Sequence, residues 1–145
     1  MNFSQKQIEH FTKLLRYQIG EDLTWQYESR FSSMLSEFPQ SKSSHILLLL
    51  RVNFVHQWDK NSIKKLPLPL KDELHPLAEI RKKQLLFTLP ATQKVPTVIA
   101  CWWPWEHGGT YSLRVKLLKE SYNFGQKPAT KSGLFYKFKA LLSMS

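Results

Sequence analysis

The residue types best able to do chemistry in this sequence are cationic side chains that follow a cluster of tryptophans. Arg114, Lys116 and Lys119 come shortly after tryptophans at positions 102, 103 and 105. Arginine and lysine neutralise phosphates, and exposed aromatic rings stack on unpaired bases. We therefore interpret this region as a nucleic-acid-binding surface, in which Trp105 is the exposed stacking residue.

Positive charge is concentrated in the C-terminal part of the chain. The sequence has 21 Lys and Arg against 11 Asp and Glu, and residues 81–145 hold eleven of the basic but only two of the acidic side chains. A one-sided positive field attracts polyanions, although a basic half without a polyanion partner is the alternative. The predicted nucleic-acid-binding residues are Arg51, Arg81, Lys82, Lys83, Trp105, Arg114, Lys116, Lys119, Lys127, Lys131 and Lys137.

Other kinds of site have weaker support in the sequence. The five histidines show no metal-binding spacing, and neither a CxxC nor an HExxH motif is present. Residues 125–132 approach a phosphate-binding loop, but Thr130 replaces its second glycine and Pro128 removes an amide. Cys101 follows Ile99 and Ala100, which favours a buried and unreactive thiol. We predict no catalytic residues, no metal and no cofactor, and we do not predict enzymatic activity.

Cysteine content and hydropathy bear on the compartment. The single cysteine cannot form an internal disulfide, which fits a reducing environment. The N-terminal segment has no apolar signal core, and the longest apolar run, Ile46–Leu50, is far shorter than the ~20 residues of a membrane helix. We expect a cytoplasmic protein without a membrane partner.

The element that positions the candidate site is a hairpin across Thr97–Leu118. Gly108 and Gly109 mark its turn, and residues 111–117 alternate between apolar and polar side chains. Such alternation is typical of a strand with one buried and one solvated face. Arg114 and Lys116 then share the solvated face. Adjacent Trp102 and Trp103 point to opposite faces, so that one of them belongs to the core.

The remaining segments predict helices and one further strand. Ser4 and Gln7 form a capping-box pattern before a helix that ends at Gly20. In chain order we then predict a second helix from Thr24 to Phe38, a central strand across His45–Val55, a loop from Trp58 to Leu70, a helix from Pro76 to about Phe87, and a short last helix from Ser132. A buried helical turn is the alternative for His45–Val55, and a strand across Leu134–Phe138 is the alternative for the last helix.

These elements predict an α+β fold in one domain, residues 1–145. It comprises a small antiparallel or mixed sheet with helices packed on one face, and two N-terminal helices. Within it, residues 1–40 form the helical pair, residues 41–120 the sheet and a crossover helix, and residues 121–145 a basic C-terminal segment. The open sheet face is expected to show Arg51, Asn53, Arg114 and Lys116 beside the tryptophans.

Two short segments resemble a known family. They are Leu49–Phe54, with the sequence LLRVNF, and Trp103–Leu113, with the sequence WPWEHGGTYSL. Both are similar to segments of the YagK/YfjJ-type family of bacterial mobile elements, which is akin to replication proteins of filamentous phages. The resemblance implies a sheet that handles DNA. It also implies a His-hydrophobe-His metal pair after the glycines, where this chain has Thr110, Tyr111 and Ser112 instead.

Three functional hypotheses follow. The first is a small, basic, non-enzymatic nucleic-acid-binding protein, with DNA favoured over RNA, that acts as an accessory or regulatory factor of a mobile element. The second is a protein–protein adaptor or inhibitor that docks through the tryptophan-bearing hairpin and the Leu66–Leu70 loop. The third is a degenerate replication-type nuclease, with Tyr122 as its relic nucleophile.

Overall fold

A six-stranded antiparallel sheet organises residues 3–119, the part of the chain that the computed structural model describes. Its strands are β1 (Gln26–Glu28), β2 (Ser33–Pro39), β3 (His56–Trp58), β4 (Leu85–Leu89), β5 (Val98–Pro104) and β6 (Thr110–Leu117). They lie in the order β1-β2-β6-β5-β4-β3, and every neighbouring pair is antiparallel. The helices are α1 (Gln5–Gly20), α2 (Ser43–Asn53) and α3 (Leu68–Leu74). The predicted α+β class is confirmed.

The β5–β6 hairpin predicted from the alternating segment forms the centre of this sheet. Val98 pairs with Leu117 at one end and Pro104 with Tyr111 at the other. Gly108 in the turn has a φ of 77°, a conformation that glycine adopts without steric cost. β6 also pairs with β2, so both of its edges are hydrogen-bonded. Its side chains are therefore held in a fixed register.

The two faces of the sheet differ in what covers them. The helix face packs against α1 and α2 in a core that includes Ile8, Leu15, Ile46, Leu50, Phe87, Ala100, Leu113 and Val115. On the opposite face, here called the back face, a second cluster that includes Leu70 and Leu74 of α3 covers the side chains of Leu86, Ile99 and Cys101. The remaining part of the back face, over β1, β2 and β6, carries Arg114 and Lys116.

The first helix begins as predicted. The Gln7 backbone N–H donates to Ser4 Oγ at 3.2 Å, and the Ser4 backbone N–H donates to Gln7 Oε1 at 2.8 Å. These reciprocal bonds satisfy two of the amides that a helix start leaves free. Ile8, Leu15 and Ile19 are buried at helical spacing and fix α1 on the core.

The prediction of a second N-terminal helix from Thr24 to Phe38 is wrong. That segment forms β1 and β2, so residues 1–40 are not a helical pair. Met34 faces the helix core whereas the neighbouring Leu35 lies on the back face, and both are buried. A strand that is covered on both faces loses the apolar–polar alternation, and the apolar residues at positions 27, 31, 34, 35 and 38 also satisfy a helical period.

The prediction of a central strand across His45–Val55 is also wrong, because most of this segment belongs to α2, Ser43–Asn53. Ile46 and Leu50 face the core, and the Asn53 side-chain amide donates to the Leu49 carbonyl at 2.7 Å, one helical turn back. A continuous apolar run carries no period of its own, so buried helix and buried strand have the same signature. Arg51 and Asn53 accordingly lie on a helix and not on the open sheet face.

The prediction of a helix from Pro76 to Phe87 is wrong as well. The helix in this region is α3, which begins in the last residues of the segment predicted as a loop and ends before Pro76, and Leu85–Leu89 is β4. Pro69 occupies the second position of α3, where the missing amide costs no hydrogen bond. The prolines of the Leu66–Leu70 segment therefore begin a helix. The predicted last helix and the segment 121–145 lie outside the described residues.

Within residues 3–119, none of the helices combines the length and the apolar character needed to cross a membrane.

Candidate nucleic-acid interface

The candidate site is built on the back face along β6. Ser112, Arg114 and Lys116 alternate with buried residues, so all three project to this face. At about 3.4 Å per residue the row from Ser112 to Lys116 is about 14 Å long. Trp103 pairs with Ser112 across the β5–β6 ladder and therefore shares the face. Its neighbour Trp102 is buried in the helix core, which confirms that the two rings point to opposite faces.

Arg114 is the most constrained side chain of this face. Its Nε and Nη2 donate to the two carboxylate oxygens of Glu28 at 3.0 and 3.1 Å. The guanidinium also lies 4.5 Å from the ring centroid of Trp103 and 5.2 Å from that of Phe31. The side chain of Arg114 is only 12% exposed. Its charge is therefore paired, and it holds two aromatic rings in place.

A fourth group extends this stack towards solvent. Arg30 is exposed, and its guanidinium lies 4.8 Å from the ring centroid of Phe31, the same ring that Arg114 contacts. The order Arg30, Phe31, Arg114, Trp103 thus alternates cations with aromatic rings. We call this set the back-face stack. The sequence does not mark Arg30 and Phe31 as site residues, because the segment from Thr24 to Phe38 predicts a helix, and only the β1–β2 pairing brings them to β6.

Lys116 has a structural contact of its own. Its Nζ donates to the Phe31 carbonyl oxygen at 2.7 Å and so ties the β1–β2 connection to β6. Burial lowers the pKa of Lys116, an effect that the nearby Glu73 carboxylate opposes. Lys119 is exposed at the end of the same strand, and its backbone N–H donates to Glu73 Oε2 at 2.9 Å. Of these two lysines, Lys119 is the accessible cation.

Trp105 lies at the hairpin turn and is exposed, as its position in the sequence predicts. It retains 43% of its accessible surface, and its indole Nε1 donates to Ser112 Oγ at 2.7 Å. Because Ser112 belongs to the back face, this hydrogen bond orients Trp105 towards the same face as the back-face stack. The structure therefore brings an exposed indole next to the row that contains Arg114 and Lys116.

The other predicted cations are distributed over several places. Arg81, Lys82 and Lys83 are exposed just before β4. Because Leu85, the first residue of β4, pairs with Trp102 near the end of β5, these three residues lie close to the β5–β6 turn. Arg51 lies at the C-terminal end of α2 and its Nε donates to the Gln57 side-chain oxygen at 2.9 Å. It is separate from the back-face residues. The remaining three, Lys127, Lys131 and Lys137, lie outside the described residues, as does Tyr122.

The predicted Leu66–Leu70 docking loop offers little surface. Leu66 and Leu70 are buried in the second core cluster, whereas Leu68 is 67% exposed. An adaptor that used this segment would have one accessible leucine. The buried leucines of this segment pack on the back face of the sheet, in the cluster that contains Leu86 and Ile99.

Metal-binding and thiol chemistry find no support in residues 3–119. No group of three His, Cys, Asp or Glu side chains in this range is placed to hold a metal ion. Cys101 is buried, as predicted, and burial raises the pKa of its thiol to about 12. A thiol with this pKa is not a nucleophile near neutral pH.

Comparison with protein-family models, curated proteins and solved structures gives no match for this chain. The fold and the site define an α+β protein whose antiparallel sheet carries cations and aromatic rings on one face. The resemblance to the YagK/YfjJ-type family stays a prediction from two short segments.

Proposed function

We propose that this protein binds nucleic acid through its back face and is not an enzyme. The observation that supports this most directly is the exposed Trp105 indole, which lies on the same sheet face as Arg114 and Lys116. Rings beside cations on a sheet are a common platform for unpaired bases. DNA is favoured over RNA because two short segments, Leu49–Phe54 and Trp103–Leu113, resemble proteins of mobile elements. The role proposed for this chain is that of an accessory or regulatory factor of such an element.

The residues of the face divide into two roles. Arg114 and Lys116 are held by Glu28 and by the Phe31 carbonyl, so they position the aromatic rings. Exposed cations then contact phosphates. These are Arg30 and Lys119 on the back-face side, Arg81, Lys82 and Lys83 at the hairpin end, and Lys127, Lys131 and Lys137 of the C-terminal segment.

A salt series tests the proposal. Fluorescence anisotropy would be recorded for the full chain with single- and double-stranded DNA and RNA of one length at increasing salt. The logarithm of the association constant is expected to fall linearly with the logarithm of salt concentration, by ~0.7 per phosphate contact on single strands and ~0.9 on duplex. Affinity that stays constant from low to moderate salt contradicts the proposal.

A substitution at the turn tests the part played by the indole. Trp105→Ala is expected to weaken single-strand binding by roughly tenfold, because stacking on one base contributes about 1–3 kcal/mol. Tyr17→Ala is the matched control, since Tyr17 is an exposed aromatic residue on α1, which covers the other face of the sheet. Equal losses in the two variants would show that binding does not depend on the back face.

A further inference from the structure

A groove opens on the helix face, on the opposite side of the sheet from the back-face stack. It has a volume of about 380 Å³ and lies between the first half of α2 and the ends of β4 and β5. Its apolar lining comes from Leu47, Leu85, Trp102, Pro104 and Tyr111. Lys83 lines the same groove and is exposed.

One wall of this groove is a largely exposed face of α2, on which Leu47 is half-buried against the core and Ser44, Leu48 and Arg51 are exposed. Ser44 and Leu47 line the groove, and Leu48 and Arg51 continue the same helix face at i, i+3, i+4 and i+7. Leu48 is 57% exposed. The four consecutive leucines of α2 place apolar side chains outward as well as inward, a pattern typical of a helix that is covered on both sides.

One cation lines the groove and a second lies further along the same face of α2. Lys83 lines the groove beside Ser44 at the start of α2. Arg51 lies beyond the lining residues on the same helix face, seven residues from Ser44, which corresponds to about 10 Å. Arg51 hydrogen-bonds to the neutral side chain of Gln57, so this contact leaves its charge unbalanced. Among residues 3–119, no carboxylate lines the groove. The charge pattern is therefore complementary to an acidic ligand about two helical turns long.

We propose that this groove docks a short, acidic, amphipathic helix of a partner protein. Leucine-like side chains of that helix pack on Leu47, Leu48 and Leu85, and its carboxylates meet Lys83 and Arg51. This is the helix-in-groove mode of recognition. A second copy of this chain fits less well, because a two-fold pairing would bring the same cations of both copies together. The groove and the back face lie on opposite sides of the sheet, and Lys83 is the one residue that the two proposals share.

The test uses synthetic peptides and the full chain. The probe is a fluorescein-labelled helical peptide with leucine at i, i+3, i+4 and i+7 and glutamate at most other positions. It is expected to bind in the micromolar range, more weakly as salt rises. A peptide of the same composition with scrambled leucines, and one with lysine in place of glutamate, are expected to bind at least about tenfold more weakly. Equal binding of the scrambled peptide overturns the proposal.

Substitutions locate the binding site. Leu48→Ser is expected to raise the dissociation constant about tenfold, since one buried leucine is lost from the interface. Leu68→Ser is the matched control, because Leu68 is an exposed leucine on α3 at the back face, and a change below about twofold is expected. Lys83→Glu should weaken binding severalfold, and it keeps the test decisive if Leu48→Ser does not fold.

Three further outcomes would overturn the proposal. The first is equal loss in the Leu48→Ser and Leu68→Ser variants. The second is a concentration-dependent dimer in sedimentation that Leu48→Ser dissociates, which would make a second copy the occupant. The third is loss of peptide binding in Trp105→Ala, which would place the peptide on the back face. Unchanged peptide binding in Trp105→Ala supports the groove and separates this proposal from the nucleic-acid proposal.

Discussion

Arg114 shows why arginine, and not lysine, occupies the middle of the back face. One planar guanidinium makes two parallel hydrogen bonds to Glu28 and stacks against Trp103 and Phe31. A lysine ammonium can satisfy neither the bidentate geometry nor the stacking. The pair is partly buried, with side-chain exposures of 12% and 23%. Removing one partner therefore leaves a charge that water reaches poorly.

Removal of the carboxylate should be costly. In Glu28→Gln we expect the free energy of unfolding to fall by about 1–3 kcal/mol, because Arg114 keeps its charge without a charged partner. Urea denaturation followed by tryptophan fluorescence measures it. Asp22→Asn removes the carboxylate of the exposed Lys42–Asp22 pair and should lower the free energy of unfolding much less, because solvent screens an exposed pair. Similar losses in the two variants would contradict this account of Arg114.

Cys101 should give the protein a specific pH dependence. The pKa of its thiol is about 12 in the folded protein and 9.0 without burial. Between these values the unfolded chain binds fewer protons than the folded one, so the free energy of unfolding falls as pH rises, by up to about 1.4 kcal/mol per pH unit.

The Cys101→Ala variant isolates this effect, because it keeps every other titrating group. Urea denaturation of both proteins below and above pH 9.0 is expected to show a steeper fall for the natural protein. Parallel pH profiles would mean that the thiolate is tolerated at its site, contrary to its burial beside Ile99 and Leu86.

At the scale of elements, the start of α1 should be measurably stabilised by its capping box. Ser4→Ala removes the oxygen that accepts the Gln7 amide, and a loss of about 1 kcal/mol is expected. Ser44→Ala provides the matched control, since Ser44 is exposed in the first turn of α2, where no side-chain cap bond forms. Thermal denaturation by circular dichroism compares them. A larger loss in Ser44→Ala would contradict the prediction.

Elements that carry a local signal could be predicted from the sequence. α1 has a capping box and a 3.6-residue period, and the β5–β6 hairpin has a period of two with glycines at its turn. β2 lacks such a signal because it is buried on both faces, with Ser33 and Ser36 buried beside apolar residues, so the apolar–polar alternation is lost. α2 lacks it because four consecutive leucines at its centre fit a helix and a strand equally well.

The part of the candidate site that lies on β6 and its turn could also be predicted, because it has a local sequence pattern. The alternation along β6 placed Arg114 and Lys116 on one face, and the turn placed Trp105 beside them. The contribution of Glu28 and Phe31 could not be inferred, because each reaches β6 across about 85 residues of chain. No local pattern encodes a pairing at that separation, and tertiary packing alone decides it.

At the scale of the whole molecule, the net charge of +10 is distributed unevenly, and this should govern binding. Replacing Lys127, Lys131 and Lys137 together with glutamine is expected to lower the slope of log affinity against log salt by up to about 2 on single-stranded DNA. A salt series on the full-length variant measures it. If the variant keeps the natural slope, these lysines make no phosphate contacts.

A control with the same change in net charge separates location from total charge. Lys60, Lys64 and Lys65 are exposed between β3 and α3, away from β6 in the sheet. Their replacement by glutamine should leave most of the salt dependence intact. An equal effect of both triple variants would indicate attraction by the overall field, without a defined phosphate path.

The position of β6 has a consequence for biosynthesis. It is the last strand of the described region, yet it lies between β2 and β5 in the sheet. A nascent chain that has emerged from the ribosome only as far as the hairpin turn can form α1 and the β1–β2 ribbon, but nothing joins that ribbon to the other strands. Until β6 is translated, the leucines of α2 lack much of the core against which they pack. Completion of the sheet must then await the end of this segment, and binding by chaperones is expected in that interval.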